Sequence, residues 1–124
     1  MAPTLEKNFL DLILPQGILD YFLLTDFTSA VSEVNIYLEE RNLVPSEYQK
    51  DKLTSKGFFE EITVQDFPLR GKAVYLHIRR RRWLNQTTGY VVFRDWDLVA
   101  RGTRMTTEFA SFLKAISRYP SGKL

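Results

Sequence analysis

Residues 62–83, ITVQDFPLRGKAVYLHIRRRRW, contain the clearest strand pattern in this chain of 124 residues. The apolar and β-prone side chains in it predict a strand over 72–84 with apolar residues on both faces. These side chains are Ala73, Val74, Tyr75, Leu76 and Ile78. Upstream, Pro68, Arg70 and Gly71 predict a turn, and residues 58–67 predict a shorter strand that Pro68 ends.

The residues after this strand predict a hairpin. A loop of five residues, 85–89, contains Gly89, which is free to take a positive φ, and residues 90–96 return antiparallel. Before residue 58 the pattern is mixed. Residues 34–38 alternate as one arm of a hairpin within 22–38, whereas the polar segment 39–57 has no clear period and predicts a loop.

Helices are predicted near both ends. Thr4 is a suitable N-cap for a first helix that Pro15 ends, and residues 17–22 predict a short second turn. A last helix over 106–119 begins near Thr106, with Phe109, Phe112, Leu113 and Ile116 at helical spacing. The fold class predicted is therefore α+β, a single domain over 1–124 with an antiparallel sheet flanked by an N-terminal and a C-terminal helix.

Composition limits the function classes. The chain is 44% hydrophobic and 14% aromatic, which is enough to form a core, and it has no cysteine. Disulfides, zinc ribbons, iron–sulfur clusters and cysteine nucleophiles are therefore excluded. No apolar run approaches the roughly 18 residues of a membrane span, and there is no signal-peptide pattern, so we expect a soluble, cytoplasmic protein.

Charge is distributed unevenly between the two parts of the chain. Residues 1–66 carry 5 Lys and Arg against 12 Asp and Glu, a net charge of −7, whereas residues 67–124 carry 12 against 3, a net charge of +9. Such asymmetry is typical of proteins with a polyanion-binding face.

The most specific feature is the run Arg79, Arg80, Arg81 and Arg82, followed by Trp83. In a strand, Arg79 and Arg81 project to one side and Arg80 and Arg82 to the other, with about 6.6 Å between neighbours on a face. Burying four unpaired like charges would cost several kcal/mol each, so the strand is expected to leave the core here, toward solvent or a ligand. Arginine forks suit phosphate and guanine, and Trp83, Tyr90 and Trp96 are candidates for stacking or for anchoring the hairpin.

The candidate DNA-binding residues are the four arginines and the basic residues near them in sequence: Arg79, Arg80, Arg81, Arg82, Arg70, Lys72, Arg94, Arg101 and Arg104. Arg94 is expected to face the arginine run across the hairpin. The alternative is a solvated hairpin whose arginines pair with the acidic first half of the chain.

Other polar residues give weaker signals. His77, the one histidine, is best interpreted as a hydrogen-bonded structural residue, and one histidine without cysteines cannot build a usual zinc site. Asp95, Asp97 and Glu108 are better explained as ion pairs with neighbouring arginines than as a metal cluster. The glutamates in the first half are expected to be solvated: Glu39, Glu40, Glu60 and Glu61. No catalytic residue, cofactor or metal site is predicted.

The run from Ile62 to Leu76, followed by Arg79 to Trp83, resembles the N-terminal region of bacterial insertion-sequence transposases. The shared pattern is an aspartate, an apolar residue and a proline, then a glycine turn and an apolar strand ending in arginines. A threonine-rich helix start also resembles that family: Thr103, Arg104, Met105, Thr106 and Thr107. The resemblance covers about residues 12–116.

Many transposases carry cysteine pairs in this region that look like zinc ligands, where this chain has Pro45, Tyr48, Asn85 and Thr88. The chain is therefore similar to a cysteine-free branch of the group. The resemblance implies a non-catalytic region that binds double-stranded DNA, such as the element's terminal inverted repeats. It also implies that the catalytic carboxylates lie in a downstream or separate region, into which the last helix would lead.

A second hypothesis belongs to another class. The acidic and basic halves of the chain are also expected in a protein-interaction module that self-associates or docks onto the catalytic transposase subunit.

Overall fold

The computed structural model of the chain describes residues 3–94 and 106–116. Within these residues, the helices are α1 Pro3–Ile13, α2 Ile18–Tyr21 and α3 Thr107–Ile116. The strands are β1 Phe22–Ser29, β2 Glu33–Glu40, β3 Leu53–Phe58, β4 Ile62–Leu69, β5 Lys72–Arg79, β6 Arg81–Asn85 and β7 Val91–Val92. The predicted class, an α+β fold with mainly antiparallel strands between N-terminal and C-terminal helices, is confirmed.

The strands form two sheets. The first sheet has the order β1-β2-β5-β4, and the second has the order β3-β6-β7. The hairpin pairs β1–β2 and β4–β5 are antiparallel, but the central pair β2–β5 is parallel. A parallel pair needs a long connection, which residues 41–71 supply.

One face of the first sheet forms the core. Alternate residues of β2, β4 and β5 are buried there, and the helical segment before β1 covers them. The buried side chains are Leu14, Ile18, Leu19, Phe22, Ile36, Leu38, Val64, Val74, Leu76 and Ile78. On the opposite face of β5, Tyr75 and His77 are half-buried, so the strand's two faces are less alike than the sequence suggests.

The β4–β5 turn is where the sequence predicts it. Arg70 and Gly71 have φ values of 52° and 81°, and Leu69 pairs with Lys72 around them. Two successive left-handed residues are typical of a two-residue type I′ hairpin turn. Pro68 does not end β4 as expected, because β4 is an edge strand with an irregular register between Asp66 and Leu69, where a proline is tolerated.

Two other predictions are wrong in detail. Part of the predicted loop 39–57 is strand β3, whose mostly exposed side chains leave no hydrophobic period to detect. The predicted strand 72–84 is two strands, because the chain leaves the first sheet at Arg79 and enters the second at Arg81. Of the predicted return strand 90–96, only Val91–Val92 are strand among residues 90–94, and residues 95 and 96 lie outside the described residues.

Helix α3 is attached to the edge of β4 through Thr106. The backbone N–H of Thr106 donates to the Gln65 carbonyl at 2.8 Å, and its hydroxyl donates to Asp66 Oδ1 at 2.9 Å. The same hydroxyl accepts from the N–H of Phe109 at 3.2 Å, so Thr106 caps the helix where the sequence predicts its start. Phe109 packs on Phe67, with ring centroids 5.1 Å apart.

Asp66 is 4% exposed at this attachment. Burial raises the pKa of its carboxyl, while hydrogen bonds from the Phe67 N–H and the Thr106 hydroxyl act in the opposite direction. The ionised carboxylate therefore costs free energy in the folded protein. No helix within the described residues is long and apolar enough to cross a membrane.

Asp66→Asn should make stability less dependent on pH. The carboxyl is protonated in both states below its ordinary pKa of 3.8, so the two proteins should then be similarly stable. As pH rises past 3.8 and through the raised folded pKa, the unmodified protein should lose stability relative to the variant. Urea unfolding from pH 3.5 to 7 measures the difference, and a variant that loses relative stability as pH rises would contradict the assignment.

Candidate nucleic-acid interface

The four arginines lie where one continuous segment passes between the sheets. Arg79 ends β5, Arg81 begins β6, and Arg80 lies between them outside both strands. The carbonyl of Arg80 accepts a hydrogen bond from the Phe59 N–H at 2.9 Å. Strand β3 and the residue after it therefore run beside the arginine segment.

The side chains alternate as predicted, and each alternate pair contacts one phenylalanine ring. The guanidinium carbons of Arg79 and Arg81 lie 4.5 and 4.6 Å from the Phe58 ring centroid. Those of Arg80 and Arg82 lie 5.1 and 5.6 Å from the Phe59 ring centroid. We call these six residues the Arg–Phe ladder. Each contact is within the range of a cation–π interaction.

A glycine bulge places the two rings. Gly57 has a φ of 83°, and the β3–β6 register shifts between Ser55 and Phe58. A left-handed glycine is the usual residue at such a bulge, which re-aims the side chains that follow it. Phe58 then lies opposite Arg81, and Phe59 packs on Phe93 in a T-shaped arrangement with ring centroids 5.3 Å apart.

Two arginines of the ladder contact residues of β2, but only Arg79 pairs its guanidinium with a carboxylate. Arg79 Nη1 lies 3.1 Å from Glu39 Oε2 in an exposed pair. The backbone N–H of Arg81 donates to Glu40 Oε1 at 2.9 Å, and its Nε donates to the Glu40 carbonyl at 3.2 Å. Arg81 Nη1 also donates to Ser55 Oγ at 2.7 Å.

Glu40 is 2% exposed, so the expectation of a solvated glutamate is wrong. It follows Ile36 and Leu38 on the core-facing side of β2, at the point where the two sheets meet. Its Oε2 lies 3.5 Å from Arg94 Nε. Arg94 also packs over the Tyr21 ring and donates to the Leu43 carbonyl at 2.7 Å. Arg94 therefore reaches the arginine segment through Glu40.

Arg80 and Arg82 have a different environment. Both side chains are half-buried against Phe59, and neither has an ion-pair partner among residues 3–94 and 106–116. The Nε atom of each is buried with no hydrogen-bond partner in the same part of the chain. Two guanidinium groups are thus held close together without a described counter-charge.

The other predicted basic residues are dispersed. Arg70 and Lys72 lie at the opposite end of β5, roughly 23 Å from Arg79, and Lys72 Nζ donates to Ser29 Oγ at 2.9 Å. Arg101 and Arg104 lie outside the described residues. The structure therefore brings Arg94 to the arginine run but separates Arg70 and Lys72 from it.

The aromatic candidates also separate. Trp83 is completely buried and its Nε1 donates to Asn42 Oδ1 at 2.8 Å, so it anchors the second sheet and is closed to a ligand. Tyr90 is 73% exposed. Trp96 lies outside the described residues.

His77 is hydrogen-bonded on both ring nitrogens. Its Nε2 lies 2.7 Å from Asn35 Oδ1 and its Nδ1 3.2 Å from Thr63 Oγ1, while its ring stacks on Tyr37 with centroids 4.5 Å apart. These contacts agree with the structural role predicted for it.

The acidic residues considered for a metal site do not form a cluster in the described residues. Glu108 Oε1 accepts a hydrogen bond from the Gln16 N–H at 3.2 Å, and Asp95 and Asp97 lie outside the described ranges. Among the residues that the structure describes, no group of three or more His, Asp or Glu could hold a metal ion.

Sequence reasoning missed Phe58, Phe59 and the burial of Glu40. The alternation of Ile36, Leu38 and Glu40 could have predicted that Glu40 is buried, since side chains two apart share a face of a strand. Nothing in the sequence pairs the two phenylalanines with arginines more than 20 positions away.

Comparison of the chain with protein-family models, curated proteins and solved structures gave no match. The interpretation of the ladder therefore depends on its residues and their geometry.

Glu40→Gln should destabilise the protein far more than Glu39→Gln. The first change removes a buried counter-charge from Arg94, which costs on the order of 3 kcal/mol. The second removes half of an exposed pair with Arg79, which contributes less than about 1 kcal/mol. Urea unfolding of the two single variants at pH 7 measures both losses, and equal losses would show that Glu40 has no special role at the junction.

Proposed function

We propose that this protein binds double-stranded DNA, with Arg80 and Arg82 as the principal phosphate contacts. In line with its resemblance, we propose further that it is the non-catalytic N-terminal region of a transposase and binds the terminal inverted repeats of its element. The observation that carries the DNA-binding proposal is the pair of arginines held on Phe59 without an acidic partner among the described residues.

The contacts within the ladder separate two kinds of arginine. Arg79 is paired with Glu39, and Arg81 is hydrogen-bonded to Glu40 and Ser55. A phosphate would have to compete with these groups. Arg80 and Arg82 offer their charge without such competition, so we propose them ahead of their neighbours.

The geometry of the pair suits a nucleic-acid strand. Residues two apart in an extended segment lie about 6.6 Å from each other on the same side, so Arg80 and Arg82 can contact neighbouring phosphates of one strand. The Phe59 ring restricts both side chains before any ligand arrives. Less side-chain entropy is then lost on binding.

Under this proposal the chain supplies recognition and no phosphoryl-transfer chemistry. The resemblance implies three metal-binding carboxylates in a downstream or separate region, which would act on the DNA ends that this chain holds. Cleavage of labelled element ends in the presence of magnesium is expected only when that region is added.

Replacing Arg80 and Arg82 by glutamine should weaken DNA binding and its salt dependence. Each lost phosphate contact lowers the slope of log K against log salt by about 0.9, so the double variant should lose about 1.8. Arg79→Gln is the matched control, because that side chain has a carboxylate partner, and its slope should stay close to that of the unmodified protein. Fluorescence anisotropy with a labelled duplex between 50 and about 300 mM salt gives the slopes.

Two duplexes of different sequence test the proposal that the chain binds terminal inverted repeats. The element's own end should bind more tightly than a shuffled duplex of equal length at the same salt. Equal affinities would leave general DNA binding and remove the role at inverted repeats. No binding at about 50 mM salt would overturn the DNA-binding proposal and favour the protein-interaction module.

A further inference from the structure

We propose that this chain forms a symmetric dimer in which β1 of one copy pairs antiparallel with β1 of a second copy. The pairing would join the two first sheets into one and cover the apolar groove beside β1. The proposal stands on the face pattern of β1, on its position at the edge of the first sheet and on the apolar surface next to it.

Strand β1 is an edge strand with a bulge near its centre. Its register with β2 shifts between Leu24 and Asp26, so Thr25 is an extra residue. Leu24 and Phe27 both lie on the core-facing side, opposite Leu38 and Ile36 of β2. Because of the bulge, the order of core-facing and outward-facing side chains along β1 is the same from either end of the strand.

This symmetry has a direct consequence for self-pairing. In a full-overlap antiparallel register, Leu24 of one copy lies opposite Phe27 of the other on the groove side, and Leu23 lies opposite Thr28 on the other side. In a regular strand of eight residues, the first and last residues point to different faces of the sheet. Two copies could then not pair over their full length, because residues that lie opposite each other across a strand pair must point to the same face. The bulge removes that conflict and makes β1 complementary to itself.

The directions in which the backbone N–H and C=O groups of β1 point agree with the same register. The N–H of Ala30 donates to the Glu33 carbonyl at 2.8 Å, which marks a hydrogen-bonded pair of the β1–β2 hairpin. By alternation, the backbone groups of Phe27 point away from β2. On the other side of the bulge, the hydrogen bond from the Arg41 N–H to the Tyr21 carbonyl gives the same result for Leu24. The residues that would meet across the dimer axis are thus the ones whose backbone groups point away from β2.

An apolar groove borders this edge. It has a volume of about 390 Å³ and lies between α1 and the first two strands, lined by residues that include Phe9, Leu10, Ile13, Leu24, Phe27 and Val34. Phe9 and Phe27 are each 62% exposed, which leaves roughly 250 Å² of aromatic surface in water.

The exposed apolar surface is large enough to matter for a dimer. Leu5 and Leu12 continue the stripe of Phe9 along α1 and are 58% and 84% exposed, and Leu23 on β1 is 45% exposed. Together these side chains supply more than half of the roughly 800 Å² that each partner buries in a standard interface. In the joined sheet, the two α1 helices would face each other across the paired strands.

Asp26 opposes the association. Its Oδ1 accepts a hydrogen bond from the Phe27 N–H at 2.8 Å, and so occupies a group that the second copy would use. In the full-overlap register the two Asp26 side chains also lie close to the dimer axis, where their charges repel. Removing this carboxylate should therefore tighten the dimer.

Cysteine cross-linking tests the register in a chain that has no native cysteine. Leu23→Cys combined with Thr28→Cys should give a covalent dimer on mild oxidation, because opposite residues of this kind come within disulfide distance. Within one copy the two positions are about 16 Å apart and cannot bridge. Each single cysteine variant is the control and should form no more than trace dimer.

Sedimentation velocity tests the affinity in the unmodified protein and in three variants, each checked for folding by circular dichroism. The unmodified protein should dimerise, Phe27→Glu should weaken the dimer at least tenfold, and Asp26→Ala should tighten it at least tenfold. Tyr90→Glu, an equally drastic change at a 73% exposed aromatic of the second sheet, should have no effect. The proposal fails if the double cysteine variant does not cross-link, if the unmodified protein and Asp26→Ala are both monomeric at about 100 μM, or if Tyr90→Glu matches Phe27→Glu.

Discussion

The buried carboxylate of Glu40 is the interaction on which the junction of the two sheets depends. It ends β2 of the first sheet, accepts from the backbone of Arg81 where β6 of the second sheet begins, and lies beside Arg94 beyond β7. A buried anion is costly unless it is paired and hydrogen-bonded, so the cationic segments are held at this point. The chain can therefore leave one sheet and enter the other within a single residue, Arg80.

This constraint explains how the fold accommodates four consecutive arginines at the junction of the two sheets. The Glu39 carboxylate and the Glu40 backbone carbonyl contact Arg79 and Arg81 on one side of the segment, and two phenylalanine rings lie against all four guanidinium groups. The sequence predicts that the arginines face solvent, a ligand or the acidic first half of the chain. Aromatic faces are a further destination, because a ring attracts a cation without carrying a charge of its own.

Much of the first sheet could be predicted from the sequence, since Val74, Leu76 and Ile78 alternate on a buried face and two left-handed residues fit the turn before them. The start of α3 could also be predicted, because Thr106 has the side chain that a helix N-cap requires. Strand β3 could not be predicted, because its exposed residues show no hydrophobic period. The break between β5 and β6 at Arg80 and the Arg–Phe ladder could not be predicted either, since both depend on contacts between segments far apart in sequence.

The parallel pairing of β2 with β5 bears on the order in which the fold can assemble. The β1–β2 and β4–β5 hairpins are local and can each form on the microsecond scale, since their strands are joined by short turns. Their union in the first sheet closes a loop over residues 41–61, which contain β3, and so carries the entropy of a long loop closure. Strand β3 then needs β6, which follows β5 directly, to complete its own sheet. Because β3 and β6 directly flank the β4–β5 hairpin, that hairpin brings the strands of the second sheet together before the non-local union of β2 with β5.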